Sequence, residues 1–232
     1  MNTTVTPIEP AAPQQRTPTK PAIYVEERHA LPFVSIAIAL RSGASSDPRG
    51  KDGLTRIMVR MLRRGCRGLA SHEIEERIDA LGAEFSADVS ASVITLHADV
   101  ISRSLESLVN LLATMMAEPT FDEVELGRLL RETQGEIVEA RDNDRALCTR
   151  HFRRIVFENH PYGRRIGGTI PSVAAITRQD VIDHYRLHFV RDNIAIAFAG
   201  DIDDVRAGQL SDLLLAGLPQ ESPSLTSSRP RS

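Results

Sequence analysis

The sequence predicts an α+β fold: one mixed or antiparallel sheet with helices packed on one of its faces. Three observations carry that reading. Glu84 to Val89 and Val93 to Val100 alternate apolar and polar residues, the two-residue period of a half-buried hairpin. Ser102 to Ala117 repeats apolar residues at helical spacing through Leu105, Leu108, Leu111, Leu112 and Met115. Strand pairs are mixed with runs of helices along the chain, which calls for a sheet covered by a helical layer.

The elements follow in order. Ala22 to Glu27 and Phe33 to Leu40 are rich in β-branched and apolar residues and read as strands, with His29 to Leu31 the turn between them. Gly53 to Arg64 reads as a helix. Leu54, Met58, Met61 and Leu62 form its apolar side, and Arg56, Arg60, Arg63 and then Arg67 form a basic stripe opposite, at about 100° per residue. Ser71 is the expected N-cap of a helix running to Gly82, with Glu73 and Glu75 in its first turn. Asp122 caps a long helix that extends toward Asp142, and another covers Ala146 to Phe157. His160 to Thr169 is a glycine-rich loop. Thr177 opens a further helix with Asp180 at N3. Asn193 to Ala199 is a strand of nearly continuous apolar residues, and Asp203 to Leu214 the last helix.

The chain has 232 residues, enough for one large domain with its own core. The reading places a disordered tail at 1–21, one domain at 22–218 and a second polar tail at 219–232. A net charge of -3 gives no case for nucleic acid, and no segment suits a membrane span. The first residues lack an apolar h-region, so a cytoplasmic location is expected. Cys66 and Cys148 lack C-x-x-C spacing and read as free thiols. There is no Gly-Lys-Ser/Thr phosphate loop and no G-x-S-x-G elbow.

Several segments together carry a family resemblance. They are Gly53-Leu54…Met61-Leu62…Gly65, Ser42-Gly43-Ala44 followed by Asp47, Ile74 to Phe85, Glu118-Pro119-Thr120-Phe121, His160-Pro161-Tyr162-Gly163, and Asp192-Asn193 with Gly200-Asp201. Taken in chain order they resemble the pitrilysin and insulinase family of zinc metallopeptidases, which includes the mitochondrial processing peptidase, over about Ala22 to Leu218. The strand pair of Tyr24 to Arg41 resembles the opening strand pair of that family.

The resemblance also implies a site. The family's H-x-x-E-H helix holds two zinc-binding histidines and a general-base glutamate. In this chain the histidine slots hold Arg56 and Arg60, and the glutamate slot holds Val59. A third ligand, a glutamate on a later helix, corresponds to Glu136, 76 residues after Arg60. The slot seven residues before it, where the family has a helper glutamate, holds Leu129. Guanidinium cannot ligate zinc, so no catalytic residue, metal or cofactor is expected at these positions. A pairing of Arg56 or Arg60 with Glu136 is expected in place of the ion. His184 and His188 stand at i and i+4 without an acid between them and read as surface or half-buried residues, with a metal pair as the rival. His160 is expected to fix its turn.

The resemblance implies a catalytically inactive unit that assists a zinc-bearing partner, or a second copy of itself, in processing a peptide or small protein. The alternative is a non-proteolytic module that binds an acidic peptide or anion through Arg56, Arg60 and Arg63.

Overall fold

A computed structural model describes residues 21–140, 144–158 and 160–222. Its main sheet has five strands in the order β1-β7-β2-β6-β5. These are β1 (Ala22–Glu27), β2 (Phe33–Leu40), β5 (Glu84–Val89), β6 (Ile94–Ile101) and β7 (Ile194–Gly200). The two-residue strands β3 (Gly65–Cys66) and β4 (Leu69–Ala70) pair separately. Every pairing in the main sheet is antiparallel except β1 with β7, so the sheet is mixed.

Strand alternation decides which face is covered. Val34, Ile36, Ile38 and Leu40 of β2 lie beside Ile94, Leu96, Ala98 and Val100 of β6 and Ile194, Ile196 and Phe198 of β7, all buried. The opposite face carries small or polar residues such as Ser35, Ala37, His97 and Ala197, and it is not covered. One face thus packs on helices while the other faces solvent.

The helices are α1 (Leu54–Met61), α2 (Ser71–Ala80), α3 (Leu105–Ala117), α4 (Glu123–Glu139), α5 (Asp144–Phe157), α6 (Ile170–Ala174), α7 (Arg178–His188) and α8 (Asp204–Leu215). Helix α1 is the hub of the layer and packs on β5, α4 and α7. Leu54, Ile57, Met58, Met61 and Leu62 are all fully buried. Among the described residues no helix is long and apolar enough to cross a membrane. Cys66 is buried, Cys148 is exposed, and both are free.

Four local expectations change. Strands β1 and β2 follow one another in sequence but do not pair; β7 sits between them. Its apolar run, Ile-Ala-Ile-Ala-Phe-Ala, takes a central place and bonds on both edges. Ser71 is the first residue of α2 rather than its N-cap. Its hydroxyl turns back to the Arg63 carbonyl, while the Glu73 carboxylate accepts the Ala70 N–H at 2.7 Å. Helix α4 ends at Glu139, and Asp142 lies outside the described residues. Past Leu218, Pro219 and Gln220 accept backbone bonds from Arg191 and Asp192, so they dock on the domain. By contrast, Asp122 caps α4 through Val124 and Glu125, and Thr177 caps α7 reciprocally with Asp180, as their sequence positions require.

Candidate functional site

The site is built where α1 crosses α4. Arg56, Arg60 and Arg64 recur every four residues, and Glu125, Leu129, Glu132 and Glu136 recur at steps of four, three and four. Each set falls on one helical face, and the two faces meet. Arg56 Nη1 lies 2.9 Å from Glu136 Oε2, and Arg60 Nη1 lies 2.9 Å from Glu136 Oε1. One carboxylate therefore bridges two guanidiniums, an oxygen to each. Arg60 also donates to the Thr133 hydroxyl at 3.1 Å and stands 3.7 Å from Glu132. Arg64 extends the ladder, 2.6 Å from Glu132 and 3.6 Å from Glu125. Val59 is buried, and Leu129 is fully buried on the α4 side.

The residues at these slots do not fit zinc. Both guanidiniums are cationic and offer no lone pair, and both oxygens of Glu136 are engaged by them.

Arg63 and Arg67 do not share this cluster. The α-helix ends at Met61, and the next turn tightens: the N–H groups of Leu62, Arg63 and Arg64 bond to carbonyls three residues back. Three residues per turn breaks the 100° stripe. Arg63 turns to Glu75 and to the Phe85 carbonyl, with its guanidinium over the Phe85 ring. Arg67 pairs with Glu118 at 3.0 Å. Each of these five arginines therefore has a carboxylate against it.

The start of α1 is held by buried polar groups. Asp47 accepts the N–H of Gly53 at 2.7 Å, the N–H of Thr55 at 2.8 Å and the Thr55 hydroxyl at 2.6 Å. Burial raises its pKa, and these bonds oppose that shift. The Thr55 oxygen, its proton given to Asp47, takes an N–H from His184 Nε2 at 2.8 Å, which assigns the neutral Nε2-H tautomer. The His184 ring lies 4.4 Å from that of His188. Burial, with His188 beside it, pushes the His184 pKa down to about 3, and burial takes His188 to about 4. His184 is thus a buried structural residue and not a surface one, while His188 is half-buried.

The glycine-rich loop closes over the same helix start. A Cβ on Gly168 would stand 2.2 Å from the Asp52 carbonyl oxygen, and Gly168 has φ 74°. Only glycine permits that approach. His160 Nδ1 accepts the Tyr162 N–H at 3.2 Å and so fixes its turn.

A model of the family Insulinase (Peptidase family M16) matches residues 22–170. The chain belongs to that family. An uncharacterized zinc protease of Rickettsia bellii is 24% identical over 193 residues, covering 82% of this chain and 47% of that protein. The probable mitochondrial-processing peptidase subunit beta of Arabidopsis thaliana is 24% identical over 199 residues, covering 83% and 37%. The M16 domain thus spans about half the length of the first relative and less of the second. Among solved structures, a peptidase M16 inactive domain from Pseudomonas fluorescens superposes with a TM-score of 0.82 at 22% identity, over 86% of this chain and 49% of that one. Pitrilysin superposes at 0.76 and 16% identity, over 88% and 23%. These likenesses show the fold of the M16 domain.

Sequence reasoning located Arg56, Arg60 and Glu136 but missed Arg64, Glu125 and Glu132. Their signal was available: the four-residue spacing of Arg56, Arg60 and Arg64 extends the ladder. It also missed His29, which bridges Glu27 and Asp201 at 2.7 Å each. These hydrogen bonds, Asp201 foremost, raise its pKa.

Proposed function

We propose that this M16 domain holds no zinc and cuts no peptide itself, and that it serves a zinc-bearing M16 partner in processing a peptide or small protein. The observation that carries this reading is the Arg56–Glu136–Arg60 bridge. It fills the ligand slots with two fixed cations and occupies the one remaining carboxylate. A water nucleophile there would have neither a metal to acidify it nor a base to take its proton, since Val59 stands in the base slot. The resemblance to a processing-peptidase subunit and to an inactive M16 domain supports a supporting role.

The rival reading, an anion-binding module using Arg56, Arg60 and Arg63, has less support. The charge of each is offset by Glu136 or Glu75, and Arg63 points elsewhere.

The test is co-expression with an H-x-x-E-H relative from the same genome. Elemental analysis and peptide cleavage are measured for each chain alone and for both together. The expected result is no stoichiometric zinc in this chain, a stable complex, and cleavage by the complex that exceeds the relative alone. One tightly held zinc per chain, lost on Glu136→Gln, would overturn the proposal. So would a monomer that ignores the relative and leaves its activity unchanged.

A further inference from the structure

The turn between β1 and β2 is fixed at its ends through the backbone. The Arg28 N–H donates to the Gly200 carbonyl at 2.7 Å, and the Pro32 carbonyl accepts the Ser102 N–H at 3.0 Å. Between these anchors His29, Ala30 and Leu31 are all exposed, Leu31 at 71%. The His29 ring ties this stretch down. Its Nδ1 lies 2.7 Å from Asp201 Oδ1, just past β7, and its Nε2 lies 2.7 Å from Glu27 Oε1 on β1. The other Asp201 oxygen accepts the Ser102 hydroxyl at 2.7 Å. One ring and one carboxylate thus join the turn, the end of β7 and the approach to α3.

Ionised carboxylates only accept hydrogen bonds, so both ring nitrogens must donate. The imidazolium has two N–H groups. The neutral ring has one, and its bare nitrogen would face a carboxylate lone pair. We infer that His29 is a pH-operated clasp, which holds the turn at Ala30 and Leu31 as imidazolium and releases it as neutral imidazole.

The charges around the ring agree with this. Hydrogen bonds to Asp201, first, and to Glu27 raise the His29 pKa above the ordinary 6.5. Those from His29, first, and Ser102 lower the pKa of Asp201, so it stays ionised wherever the clasp works. Other charges on the joined segments are engaged elsewhere. Arg28 pairs with Glu26 at 3.2 Å, Asp203 caps α8 through the Arg206 N–H at 2.7 Å, and Arg206 pairs with Glu106 at 2.7 Å. Arg103 and Asp204 are exposed. The raised value sets the sign: the clasp is complete below pH 6.5 and is lost as pH rises through the folded pKa. This is the reverse of His184 and His188, whose values are lowered. The ring is exposed, so the device acts on the local order of the turn and not on global stability. It needs no partner chain, and its test contains none.

Nuclear magnetic resonance of the full chain tests it, following the His29 ring nitrogens and the Leu31 methyl groups from about pH 5.5 to 8.5. His29→Gln assigns the ring signals. His184, with a pKa of about 3, stays neutral throughout and is the internal reference. The expected result is a ring with both nitrogens protonated at the acid end and a midpoint above 6.5. The order of the Leu31 methyl groups should fall through the same midpoint. Asp201→Asn and Glu27→Gln should each lower the midpoint, Asp201→Asn by more, and added salt should lower it too. In His29→Gln the Leu31 methyl groups should lose their pH response. All three side chains are at least a third exposed, and thermal melting confirms that the variants fold. A midpoint at or below 6.5, Leu31 order unchanged across the midpoint, or a His29→Gln chain that keeps the wild-type response would overturn the inference. So would a midpoint that neither carboxylate variant moves.

Discussion

Two groups of arginines lie on either side of one glycine-rich loop, and they differ in everything but residue type. Those of α1 and the turn after it are each matched by a carboxylate, from Glu136 and Glu132 on α4 to Glu75 and Glu118 beyond. Among the described residues, Arg145, Arg150 and Arg154 of α5 have no carboxylate paired with them. The first group stands on a helix whose other side is the centre of the core. The second stands on a helix packed mainly on the loop turn, with Phe152, Ile155 and Val156 more than half exposed. The difference teaches that a basic stripe in a sequence says little until its counter-charges are located. The stripe of α1 spends its charge on carboxylates of the same chain.

The sharpest way to break this comparison is with acid. His184 and His188 sit on α7 against α1, and both have folded pKa values below the ordinary 6.5, at about 3 and about 4. The unfolded chain therefore takes up protons first. Their stabilising contribution is complete above pH 6.5 and is lost as pH falls toward 4 and 3. Asp47 works the other way, because burial raises its pKa and protonation relieves that cost. The net loss is expected to be on the order of 3 kcal/mol. Amide exchange followed by element should show α1 and α7 losing protection between pH 7 and 4.5, while α5 exchanges quickly throughout. Unchanged protection of α1 across that range would refute it.

Truncation comes next. Leu129→Ala removes a fully buried side chain between the two helices and should cost about 3 kcal/mol in urea unfolding. Ile155→Ala on α5, where the side chain is 74% exposed, should change stability by less than about 0.5 kcal/mol. Equal costs would mean that α5 is as well packed as α1.

The smallest effect concerns charge. Glu136→Ala leaves two guanidiniums facing each other, and all three side chains are roughly a third exposed. The expected loss is about 1 kcal/mol, reduced by solvent screening. It should shrink when salt is added, because salt screens the new repulsion. Arg154→Ala should be neutral in the same assay. A stabilising Arg154→Ala would instead reveal repulsion within the α5 group.

Much of the fold was legible because local signals agreed with the global result. Thr177 with Asp180, Asp122, and the alternation of β6 each specify an element unaided. The α1–α4 contact was legible only through the family frame, since counting from Arg60 to Glu136 relies on a known spacing. What stayed hidden depended on contacts distant in sequence or on a change of helical pitch. The insertion of β7 between β1 and β2 is set by pairing across more than 150 residues. The departure of Arg63 from the stripe follows from three tight hydrogen bonds that no periodicity reports. The burial of His184 depends on Thr55, 129 positions away.

The bridge between α1 and α4 has one more consequence. A domain whose helices are joined through a bound ion is complete only when the cell supplies that ion, and it comes apart when the ion is withdrawn. Here the joining groups are all encoded in the chain itself. The ion pairs that hold this crossing form as the polypeptide folds and need no ion to join them.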